Sequence, residues 1–117
     1  MILRCRYHFD SAHKLPLVRP GHKCGRLHGH TYQLTVALDG PVNDNGWVMD
    51  FGLVKAAVNP VIERLDHHYL NEIEGLENPT VEIIVKWIWR ELWALQWKHE
   101  LELHEGLNNS ATYRGDQ

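Results

Sequence analysis

The run Cys24-Gly25-Arg26-Leu27-His28-Gly29-His30 sets a thiol beside two imidazoles. His28 and His30 are two apart in a stretch that continues with strand alternation, so their rings leave the same face, with Cα atoms roughly 6–7 Å apart. Such a pair can grip one metal ion. A third imidazole, His13 in Ser11-Ala12-His13-Lys14-Leu15, comes just after an earlier strand-like run that can lie beside the first. Three imidazoles with an open fourth position are the donor set of a catalytic zinc site. Gly29 is read as admitting a close backbone approach between the two histidines. One alternative stays open. A structural zinc site closes its fourth position, most often with a thiolate, and Cys24 suits that closure as well as it suits a thiol standing one substrate-width from the ion. Spacing does not separate the two.

Three further groups can carry chemistry. Leu65-Asp66-His67-His68-Tyr69 puts an acid beside two imidazoles at the end of a helical stretch. The plain account is helix-end electrostatics, worth about 0.3–1 kcal/mol for a cationic histidine. The functional account is that Asp66 orients one of the two imidazoles, which exchanges protons in company with a thiol. Glu105 ends a strand-like run, where a glutamate is usually solvated. Buried in a pocket, its carboxylate would accept two parallel hydrogen bonds from an amidine-like edge such as a 2-aminopyrimidinone. Lys14, Arg19, His22, Lys23 and Arg26 surround the cysteine and histidine motifs, either as a solvated loop or as cations suited to a polyphosphate.

These residues need elements to hold them. Leu3, Cys5, Tyr7 and Phe9 alternate with Arg4, Arg6 and His8, and Tyr32, Leu34, Val36 and Leu38 alternate with polar or small neighbours, which predicts two strands. The spacing of Leu53, Val54, Ala57, Val58, Val61, Ile62 and Leu65 predicts a helix kinked at Pro60. A second helix is predicted from Val81, Ile84, Val85, Ile88, Leu92 and Leu95, with Asn78 as N-cap and Pro79 in the first turn. It also carries Trp87, Trp89, Trp93 and Trp97, a wide apolar surface that calls for a sheet and a neighbouring subunit. Leu101 to Glu105 and Ser110 to Arg114 read as closing strands, giving the order ββααββ.

Composition sets the bounds. A chain of 117 residues, 44% hydrophobic and 23% charged, has the size of one domain spanning 1–117. The net charge of -3 without a basic block argues against a nucleic-acid partner. Arg4 and Arg6 interrupt what would be the apolar region of a signal peptide, and no uncharged apolar span of membrane length follows, so a cytoplasmic protein without a membrane partner is expected. Cys5 and Cys24 are then expected as free thiols.

Several ordered blocks together carry a resemblance. Phe9-Asp10-Ser11-Ala12-His13, the run from Gly21 to His30, Asp50-Phe51, Leu65 to Asn71, Glu77-Asn78-Pro79-Thr80 and Tyr113-Arg114-Gly115 resemble the 6-pyruvoyl-tetrahydropterin synthase superfamily over nearly the whole chain. The short spacing from Cys24 to His28 is similar to the branch that serves queuosine biosynthesis. The resemblance implies the tunnelling fold: α+β, an antiparallel four-stranded sheet with two helices on one face, associating into trimeric or hexameric barrels with interfacial pockets. It implies that His13, His28 and His30 bind one catalytic Zn2+ per subunit, that Cys24 is the general base, that Asp66 and His67 form its proton relay, and that Glu105, with Thr80, binds the pterin.

The activity implied is a lyase reaction turning 7,8-dihydroneopterin triphosphate into 6-carboxy-5,6,7,8-tetrahydropterin with loss of acetaldehyde and triphosphate. The alternatives are the pyruvoyl-forming reaction, which keeps every side-chain carbon, and a non-enzymatic zinc-binding scaffold. One departure is noted: Gly106 follows Glu105 where the family commonly has threonine.

Overall fold

In the computed structural model, which describes residues 1–115, β1 (Ile2–His13) pairs antiparallel with β2 (His28–Asp39) along its whole length. Strand β3 (Lys98–Glu105) adds to the other side of β2, and β4 (Asn109–Tyr113) to β3, giving the sheet order β1-β2-β3-β4. The period of two decides which face is wet. Cys5, Phe9, Tyr32, Leu34, Val36, Leu38, Leu101 and Leu103 point to one side and are buried. Arg4 and Glu100 stand on the other side in one row through Ala37, and Glu100 accepts from both Arg4 and Arg114.

Two helices cover the apolar side. Helix α1 (Phe51–Leu65) starts where the Asp50 carboxylate accepts from the Gly52 amide at 2.8 Å, and buries Val54, Val58, Val61, Ile62 and Leu65. Helix α2 (Val81–Glu91) buries Ile84, Val85, Trp87 and Ile88 in the same core. The expected order ββααββ and the α+β class are therefore observed, with short 3-10 turns at Lys23–Gly25 and Leu70–Glu72.

The structure corrects four local expectations. His13 does not follow β1 but ends it, opposite His28. The cap of α2 is Thr80, whose hydroxyl accepts from the Ile83 amide at 3.2 Å, and not Asn78. The Pro79 carbonyl is taken by His13 Nδ1, and the helix begins beyond the Asn78-Pro79 pair. Helix α2 stops at Glu91, and Leu92 and Leu95 reach the core from its C-cap and the turn beyond. Lys98 Nζ donates to the carbonyls of Trp89 and Leu92, satisfying the helix end. Trp93 and Trp97 consequently lie beyond α2; Trp93 is exposed and Trp97 adopts a left-handed backbone with φ 65°.

Candidate metal centre and its surroundings

Strand register builds the centre. His13 faces His28 and Ser11 faces His30 across the β1–β2 ladder, and all three histidines project to the helix-covered side. Their ring centroids are 4.6, 5.0 and 4.7 Å apart, and one nitrogen from each lies within 4.8 Å of the other two. Tyr32 is the floor: fully buried, stacked on Phe9 at 4.9 Å, with its hydroxyl 3.4 Å from His13 Nδ1. The spacing is therefore not coincidental contact at the surface; His13 is 1% exposed.

Tautomers follow from the backbone. His13 Nδ1 lies 2.8 Å from the Pro79 carbonyl and His28 Nδ1 lies 2.7 Å from the Arg26 carbonyl. A carbonyl can only accept, so each Nδ1 carries the proton and each neutral ring keeps its lone pair on Nε2. Those two Nε2 atoms face each other at 3.0 Å. Two lone pairs at that distance repel unless a cation lies between them. His30 Nε2 is buried without a hydrogen-bond partner, although Glu105 Oε1 is 3.2 Å away in ion-pair range. Burial lowers the pKa of His13, which favours the neutral, ligating ring. The donor set thus fits a divalent ion such as zinc, whose bonds to imidazole nitrogen are about 2.0–2.1 Å.

The surrounding backbone is pinned as well. Asn71 accepts from the Lys14 amide at 3.0 Å and donates to the Lys14 carbonyl at 2.8 Å and the Glu77 carbonyl at 3.3 Å. It clips the residue after His13 to the loop that presents Pro79. Sequence reasoning missed Asn71 and the two carbonyls, because neither a backbone acceptor nor a clip across 57 residues leaves a periodic signal.

Other expected residues fall at varied distances. Cys24 sits in the turn Lys23–Gly25 with a free, half-buried thiol; its amide donates to His22 Nδ1 and its carbonyl accepts from the Leu15 amide. It is not among the converging metal donors. Thr80 spends its hydroxyl on the cap of α2 beside Pro79. Gly106 has φ 70° and donates its amide to Thr31, so the turn after Glu105 uses a backbone that a threonine would adopt only under strain. Gly29 has no such need: a Cβ there would meet Ser11 O at 3.5 Å, ordinary contact, so close backbone approach does not explain it.

Asp66 and His67 lie at the edge of β1. The Asp66 carboxylate accepts from the Asp10 amide at 2.9 Å and from His67 Nδ1 at 2.9 Å. The His67 amide donates to the Asp10 carbonyl, holding His67 at φ 58°. The Asp10 amide, then His67, lower the Asp66 pKa; the hydrogen bond to Asp66 raises that of His67. His67 lines a cavity of about 570 Å³ with His30 and Gly29, and among the described residues neither Asp66 nor His67 has a hydrogen bond or ion pair with Cys24.

Residues 2–116 match the family described as 6-pyruvoyl tetrahydropterin synthase. The chain belongs to that family. It is accordingly an enzyme of the lyase type. The 6-carboxy-5,6,7,8-tetrahydropterin synthase of Synechocystis is 37% identical over 120 residues, covering 96% of this chain and 92% of its own. A Pyrococcus furiosus protein named dihydroneopterin monophosphate aldolase is 41% identical over 83 residues, covering 71% and 67%. The 6-pyruvoyl tetrahydropterin synthase of Caenorhabditis elegans superposes with a TM-score of 0.91 over 99% of this chain and 96% of its own at 23% identity, so the fold is the family's tunnelling fold.

Proposed function

We propose that the chain is a zinc-dependent, cytoplasmic 6-carboxy-5,6,7,8-tetrahydropterin synthase, adding water to 7,8-dihydroneopterin triphosphate and releasing acetaldehyde and triphosphate, for queuosine biosynthesis. The observation that carries the zinc is the facing pair of Nε2 atoms beside a buried His30 Nε2 that makes no hydrogen bond. The similarity to the Synechocystis synthase over almost the full length supports the reaction.

His13, His28 and His30 would hold the zinc, which when bound supplies a Lewis acid that makes a substrate hydroxyl more acidic. Cys24 takes a proton from side-chain carbon as thiolate; its position outside the donor trio supports a base and not a fourth ligand. Asp66 orients His67 and raises its pKa, so that His67 can return a proton. Glu105 holds the amidine edge of the pterin, with Thr80 as a second pterin-binding residue.

The chain acts as one domain within a homo-oligomer, a trimer or hexamer, in which Asp66 and His67 serve the Cys24 of a neighbouring copy. The pair's exposure beside β1 and the two open sheet edges, β1 and β4, support this. None of the helices is long and apolar enough to cross a membrane among the described residues.

Incubation with 7,8-dihydroneopterin triphosphate tests the reading. Acetaldehyde and the 6-carboxy product in equal amounts are expected. Triphosphate release with all side-chain carbons retained would instead indicate the pyruvoyl-forming reaction. Conversion of the monophosphate to glycolaldehyde phosphate would indicate the aldolase chemistry named for the Pyrococcus relative. No conversion of any of them would leave the zinc-binding scaffold.

A further inference from the structure

The stretch that follows α1 docks on the edge of β1. Ala12 N–H donates to the His68 carbonyl at 3.1 Å and His67 N–H to the Asp10 carbonyl at 2.6 Å, with a parallel bridge between Ala12 and Tyr69. The buried Ser11 hydroxyl donates to the Leu65 carbonyl, and the Asp10 amide donates to the Asp66 carboxylate at 2.9 Å. Asp10 thus spends both of its main-chain groups on the Asp66–His67 pair. His67 needs such a hold, because its φ of 58° is a backbone that a non-glycine residue keeps only where its surroundings impose it.

The Asp10 side chain is fixed as well. Asp10 stands directly opposite Thr31 in the β1–β2 ladder, and the two alternate with the buried Phe9 and Tyr32, so both side chains leave the sheet face away from the helices. There the Thr31 hydroxyl donates to Asp10 Oδ1 at 2.5 Å, while the Thr31 carbonyl accepts from the Gly106 amide at 3.0 Å. One residue therefore fixes the Asp10 carboxylate and the turn after Glu105 together. Asp10, Thr31 and His67 line one hollow of about 570 Å³. The titratable groups about His67 are Asp66 and His68 of its own segment, Asp10 of β1 and His30 of β2. Asp66, and behind it Asp10, raise the His67 pKa.

We propose that Asp10, clamped by Thr31, is a positioning residue of the proton relay: it docks Asp66 and His67 on β1 and sets a second, fixed carboxylate beside the His67 ring. The inference rests on the reading of Asp66 and His67 as a relay for its effect on turnover, though not for the hold on His67. A fixed anion favours the protonated ring and restrains a side chain that is otherwise exposed, so its loss is felt in proton transfer and not in binding of pterin or zinc.

Two variants separate the side chain from the backbone. Asp10→Asn keeps both main-chain hydrogen bonds and removes the charge; Thr31→Val keeps the shape and removes the hydroxyl. With dihydroneopterin triphosphate, kcat should fall by about tenfold in Asp10→Asn and by less in Thr31→Val, part of the roughly 10²–10⁴-fold that an acid–base group contributes. KM and zinc content should stay as in wild type. The His67 titration of the zinc-loaded protein, followed by NMR, should move to lower pH in Asp10→Asn. The alkaline limb of the kcat profile should move with it, because the ring must be protonated to return a proton. Thr31→Ser should behave as wild type, and Asp44→Asn, which removes the same charge from an exposed turn, should change nothing.

An Asp10→Asn protein that titrates His67 and turns over as wild type does would overturn the positioning role. So would a fall in kcat that is matched by lost zinc, or one in Thr31→Val that Thr31→Ser fails to restore. A shifted His67 titration in Asp10→Asn together with full turnover in His67→Ala sinks the relay and leaves the hold on His67. An unshifted titration, in a protein whose turnover is lost in His67→Ala, sinks the positioning role and leaves the relay.

Discussion

The imidazole trio, carried by β1 and β2, and the Asp66–His67 pair, hydrogen-bonded to Asp10 of β1, are built in opposite ways. Around the trio, two backbone carbonyls dictate tautomers, Tyr32 closes the floor and His13 is almost wholly buried. At the pair, a carboxylate and an imidazole hold one another at the sheet edge, and the His67 side chain is 79% exposed. Inward-facing ring nitrogens make the first region a place for a cation; mutual charge at an exposed edge makes the second a candidate for moving protons. A metal site needs donors that cannot rotate away, whereas a relay needs a ring that solvent or a neighbouring copy can reach.

Breaking the trio should have the largest effect. His28→Ala is expected to lose the metal and all turnover, measured as zinc content after gel filtration, because the remaining two imidazoles no longer enclose an ion. Cys24→Ala should keep the zinc while turnover falls by about 10²–10⁴-fold, the range for a general base. Loss of zinc in Cys24→Ala would place the thiol in the metal centre and erase the division between the two regions.

Glu105→Gln sharpens the boundary between them. If the carboxylate holds the pterin, affinity for a pterin ligand should fall by roughly 10- to 100-fold, matching about 1.5–3 kcal/mol for a charged hydrogen bond, with zinc affinity unchanged. Weaker zinc with unaltered pterin affinity would instead make Glu105 a partner of His30, from which it lies 3.2 Å.

Asp66→Asn tests the pair. His67 is held above the ordinary histidine value by Asp66, and Asp66 below the ordinary carboxylate value by the Asp10 amide and His67. A raised histidine stabilises the fold below its ordinary pKa and loses that contribution as pH rises through the raised value; a lowered carboxylate contributes above its ordinary pKa and loses it as pH falls through the lowered one. The pair is therefore doubly charged in the window between, and Asp66→Asn should return the His67 titration, followed by NMR, to the ordinary range. An unshifted titration would remove Asp66 as its cause. The smallest effect is expected from Asn71→Ala: about a tenfold weaker zinc affinity, as for the loss of an outer support, with near-normal turnover at saturating metal.

Much of this was legible in the residues. The alternation of Leu3, Cys5, Tyr7 and Phe9 and of Tyr32 to Leu38 placed β1 and β2 correctly, since a period of two has no competing reading at that length. The helix stripe was read too far, through Leu92 and Leu95, because a turn that folds back to the core buries residues at intervals a helix would also give. The cap was read two residues early because Asn78-Pro79 satisfies the local pattern, while Pro79 supplies its carbonyl to His13 instead.

By itself the sequence determined the donors and the faces: three imidazoles at strand spacing, a thiol outside the strand, and an acid beside a histidine. Only the tertiary structure decided that His13 stands opposite His28, that carbonyls of Pro79 and Arg26 turn both Nε2 atoms inward, and that Asp66 and His67 are tied to each other and to Asp10. Residue type and period are local properties, but register, tautomer and the meeting of segments more than fifty residues apart depend on how the whole core packs.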